Sequence, residues 1–167
     1  MKVIKWLDNY LEEVILVALL IGMMVIMGIQ VTARYAFSYS LTWSEEVTRY
    51  MFIWSGFLSI SFCIKKGASI KIEQFVGMLT PKLQTLISLV AYTIEIALFT
   101  YMIPFAYHYV MNAVESQQVS PAVGVPMYLM QSCTLIGFIL ADIRLVQKWV
   151  QRFLEVIGKK EIEVKGE

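Results

Sequence analysis

The sequence predicts an all-α integral membrane protein of four transmembrane helices, with both termini in the cytoplasm and short amphipathic helices lying in the interface. Three observations predict it. Of 167 residues, 58% are apolar and only 16% charged, and the mean hydropathy is +0.65, outside the balance of a soluble domain. Four apolar runs are each long enough to cross a hydrocarbon core, which takes about 20 residues. Lysine and arginine gather on one side of those runs, the side retained in the cytoplasm.

Residues 1–13 place Val3, Leu7, Tyr10 and Leu11 on one helical face, with Lys2, Asp8, Asn9 and Glu12 largely elsewhere. That pattern suits an interfacial helix anchored by Trp6. The first span is expected over about 14–33, with Gln30 its one strongly polar side chain, and the second over about 45–64. A short interfacial helix is expected over about 68–79, where Ile72, Phe75, Val76 and Leu79 recur at helical spacing. The third span, about 81–107, opens on Thr80 and Pro81, a cap and a first-turn proline; Pro104 is expected to kink or end it. The fourth, about 126–150, opens on Pro126, and the charged stretch 152–167 is expected to be a frayed cytoplasmic tail. No internal repeat divides the chain, so 1–167 reads as one membrane domain.

Topology follows from the basic residues. Lys2 and Lys5 precede the first span; Lys65, Lys66, Lys71 and Lys82 lie between the second and third; Arg144, Lys148, Arg152, Lys159, Lys160 and Lys165 end or follow the fourth. The other side holds Arg34 and Arg49. Both termini and the middle loop are therefore expected inside. The first run starts after Asp8, Glu12 and Glu13 and lacks a small-x-small cleavage site, so it reads as a retained helix rather than a secretion signal.

Several function classes drop out. A net charge of +1 with dispersed basic residues gives no surface for nucleic acid. Cys63 and Cys133 lie in apolar runs without ligand spacing, and a single histidine, His108, cannot supply paired axial haem ligands. No nucleophile elbow, Walker loop, dinucleotide fingerprint or metal-ligand spacing occurs. An enzyme is not expected, nor a cofactor or metal bound by this chain.

Two places remain where side chains are more polar than a span requires. Thr42-Trp43-Ser44-Glu45-Glu46, followed by Arg49 and Tyr50, opens the second span. Thr42 and Glu45 fit a capping box, the two glutamates suit the helix dipole, and Glu45 and Arg49 have the spacing of an ion pair. A well-capped, Trp-anchored helix accounts for part of this; a docking role for Arg34, Trp43, Glu45, Glu46, Arg49 and Tyr50 accounts for the excess. Glu95, counted from the start of the third span, falls near the bilayer midplane, where an ionisable group faces protein or water. It is either a proton or cation relay or an interhelical contact. Asp142 and Arg144 read as anchors near the cytoplasmic end of the fourth span, Asp142 with a basic partner on another segment.

The order of these features resembles a known family. Gln30 to Arg34-Tyr35, then Leu41-Thr42-Trp43-Ser44-Glu45-Glu46 with Arg49-Tyr50, then Lys65 to Glu73 and Pro121 to Pro126, are similar to the small, Q-type membrane subunit of tripartite ATP-independent periplasmic (TRAP) transporters. Where that family commonly shows Gly-x-His-Ile, this chain has Gly67-Ala68-Ser69-Ile70. The resemblance implies a scaffold subunit in the bacterial inner membrane, surrounded by phospholipid and bound to a large M-type subunit that carries the substrate and sodium sites. A periplasmic binding protein would deliver an organic acid such as a C4-dicarboxylate or a sialic acid. By that analogy Arg34, Trp43, Glu45, Glu46 and Arg49 are the contact positions. The competing reading is a self-sufficient four-helix proton-coupled exporter using Glu95, and a third is a tetraspan assembly protein without transport.

Overall fold

The computed structural model describes residues 2–66 and 81–164, and among them it is all helical apart from an isolated bridge between Val119 and Pro126. Four helices follow in order: α1 (Lys2–Phe37), α2 (Thr42–Lys66), α3 (Pro81–Glu115) and α4 (Met127–Val164). Each contains a stretch long and apolar enough to cross a membrane: Leu11–Phe37, Thr42–Lys66, Leu83–Glu115 and Met127–Leu154. The interfacial helix expected over 68–79 lies outside the described residues.

Three boundaries differ from expectation. The N-terminal segment is not a separate helix: α1 is continuous from Lys2, because no proline or glycine interrupts it before Gly22. Pro104 does not end the third helix. It lies inside α3, which runs on to Glu115, since a proline costs a helix one backbone bond and a long apolar helix can absorb that loss. The tail expected to fray continues α4 as helix to Val164.

α1 packs on α2, α2 on α4, and α4 on α3. α1 ends when Ser38 adopts a left-handed φ of 49° and Tyr39 N–H turns back to donate to the Ala33 carbonyl, six residues earlier, at 3.2 Å. The α3–α4 connection is a small hairpin. Ser120 N–H donates to the Val125 carbonyl at 2.9 Å, Met127 N–H to Gln118 at 2.9 Å and Gly124 N–H to Ser120 at 3.0 Å; Gly124, with φ 72°, supplies the left-handed corner. Both connections lie at one end of the bundle, because the α3–α4 turn meets the first turn of α2. α2 and α4 therefore run side by side in the same direction.

The contacts between helices are close and specific. Gly137 of α4 lies against α2 so tightly that a Cβ there would stand 2.8 Å from Phe57 Cβ and 3.1 Å from the Phe57 carbonyl oxygen. Phe138 then meets Phe57 of α2 and Phe99 of α3 edge-on, at centroid distances of 5.8 and 5.7 Å. Gly22 of α1 receives the end of the Met51 side chain.

Candidate functional site

Polar side chains concentrate at two levels of the bundle. At the connection end, Gln30 of α1 is 5% exposed and reaches α2. Its Nε2 donates to Glu45 Oε1 at 3.0 Å, and its Oε1 accepts from the Ser44 hydroxyl at 2.6 Å. Ser44 also lies 2.6 Å from the Leu41 carbonyl, so its single proton serves one acceptor or the other. A lone glutamine in a membrane span thus acts as the clasp between α1 and α2.

One residue further, Glu46 clasps α2 to the α3–α4 turn. Its Oε2 accepts from the backbone N–H groups of Ala122 at 2.9 Å and Val123 at 3.0 Å, and its Oε1 accepts from the Tyr50 hydroxyl. Two adjacent backbone donors make an anion-binding concavity, and here the chain's own carboxylate fills it. Tyr50 lies 3.7 Å from Met127 Sδ, at the start of α4.

At the end carrying the termini, Glu12 of α1 is 4% exposed. Its Oε1 accepts from Arg144 Nε at 3.0 Å and Nη2 at 2.9 Å and from the Ser61 hydroxyl at 3.2 Å. Three helices meet on that oxygen. Arg144 Nη1 also donates to Gln147 at 2.9 Å, and outside the cluster Lys66 pairs with Glu13 at 3.2 Å. The levels are Gln30 to Glu12 apart along α1, 18 residues or about 27 Å, and Ser44 to Ser61 along α2, 17 residues or about 26 Å. That separation approaches the hydrocarbon thickness of about 30 Å.

The structure brings together only some of the residues singled out in the sequence. Gln30 meets Glu45, and Glu46 meets Tyr50. Arg34, Trp43 and Arg49 are exposed. Glu45 bonds to Gln30 rather than forming an ion pair with Arg49. Asp142 Oδ2 accepts from the Thr100 hydroxyl at 3.2 Å, where a basic partner was expected. Glu95 is half-buried. It lies between two α3–α4 contacts, Thr93 with Trp149 at 3.1 Å and Thr100 with Asp142. That puts it level with Gln147, a turn beyond Arg144 toward the end carrying the termini, not halfway between the polar levels: α3 has 35 residues, about 52 Å, so distance from its start does not measure depth. Glu12, Ser61 and Arg144 were missed as a unit. The available signal was an acid two residues before an apolar run and a base inside another.

Four apolar helices whose polar side chains close on one another at both ends define a small integral membrane protein held by interhelical clasps. The family model described as "Tripartite ATP-independent periplasmic transporters, DctQ component" matches residues 23–155, and the chain belongs to that family. It is a small permease subunit of a TRAP transporter, not an enzyme. It is 25% identical over 151 residues to the isethionate TRAP transporter permease protein DctMQ of Oleidesulfovibrio alaskensis, covering 87% of this chain and 24% of that protein. It is also 27% identical over 73 residues to a putative TRAP transporter small permease protein of Haemophilus influenzae, covering 44% of this chain and 45% of that protein. The chain thus spans less than half the length of either relative.

Proposed function

We propose that this chain is the stationary partner of a larger carrier: a scaffold subunit of the bacterial inner membrane, with both termini cytoplasmic, that binds the large TRAP membrane subunit. The large subunit carries the substrate and sodium sites, and a periplasmic binding protein delivers the substrate. The observation that carries this reading is how the polar groups are placed. α1 between Glu13 and Gln30, α2 between Arg49 and Lys65, α3 between Glu95 and His108, and α4 between Arg144's neighbour Asp142 and its own start have no Asp, Glu, Lys, Arg or His. A transport path needs polar groups at mid-depth; here the ionisable groups stay toward the two ends of the spans, where Glu12, Glu45, Glu46 and Arg144 join helices or turns.

Repeat geometry supports the same conclusion. The α1–α2 and α3–α4 hairpins have the same orientation, whereas carriers that alternate access commonly pair repeats or bundles about a central site. The substrate is a small organic anion, whose identity is set by the other subunits. C4-dicarboxylates and sialic acids remain the proposed classes, and the isethionate relative adds a sulfonate to the range to be screened.

The test is recovery of the tagged chain from its native membrane in mild detergent, with mass spectrometry of whatever stays bound. A large multispanning carrier recovered near one to one is expected. A lone chain or a homodimer would refute the reading.

A further inference from the structure

We draw no further inference here: the strongest candidate, the outward face of α3 on which Tyr101, Phe105 and His108 stand exposed, has nothing in the structure to show what covers it.

Discussion

Replacing Arg144 by methionine strands the Glu12 carboxylate between three helices. The pair is well shielded, with side-chain exposures of 11% for Arg144 and 5% for Glu12. Two guanidinium nitrogens reach one oxygen, at 3.0 and 2.9 Å. Hydrogen bonds to charged groups contribute about 1.5–3 kcal/mol each, and removing one partner of a buried ion pair costs about 3–5 kcal/mol. The two figures agree. After the change, Ser61 at 3.2 Å is the donor left to Glu12, too little for a buried charge. Glu12→Leu should cost somewhat less, because Arg144 keeps Gln147. The double variant Glu12→Leu with Arg144→Met, which puts apolar groups on both sides, should return to within about 1–2 kcal/mol of the wild type. The assay is SDS-titrated unfolding of the purified chain in mild detergent, followed by loss of helical signal, for all four members of the cycle. Single losses below about 1 kcal/mol, or a double variant equal to the sum of the singles, would refute the claim that these groups form one coupled buried unit.

Other perturbations probe the remaining contacts. Glu46→Ala leaves the Ala122 and Val123 N–H groups without their carboxylate and should expose the 119–125 turn to protease, read as a new cleavage band, while Tyr50→Phe should cost only about 1 kcal/mol. Gly137→Ala should destabilise by about 1–3 kcal/mol, because the added methyl meets the Phe57 backbone; Gly22→Ala should cost less, since only the flexible end of Met51 must move. Both are measured by the same titration. Gln30→Leu should cost about 1–3 kcal/mol by leaving Ser44 and Glu45 without their clasp to α1, and Gln30→Glu should be worse by placing two carboxylates together; thermal aggregation midpoints would rank them.

The four spans were legible because hydropathy over 20 residues survives any detail of packing. Helix ends were less so. Pro104 reads as a kink or an end, and the charged 152–167 stretch as a frayed tail, because local rules weigh single residues without the length of helix around them. The capping signature at Thr42 located the start of α2, but Glu45, its expected capping partner, bonds instead to Gln30, 15 positions earlier. The clasps were hidden for two reasons. Glu12 and Arg144 are 132 positions apart, and nothing local pairs them. Glu46 is held by backbone N–H groups, which leave no mark on the identities of Ala122 and Val123. Glu95 was visible as an ionisable group in an apolar run, yet its depth was not, because α3 is longer than the membrane is thick.

That depth bears on whether the chain holds a carrier or is one. The deciding measurement is the decay of an imposed pH gradient across liposomes containing the full chain alone, read with a trapped pH-sensitive dye. A scaffold whose charged groups stay at the ends of its spans should leave the gradient decaying as it does in empty liposomes. Faster decay that Glu95→Gln abolishes would contradict the account, because the chain would then carry protons by itself.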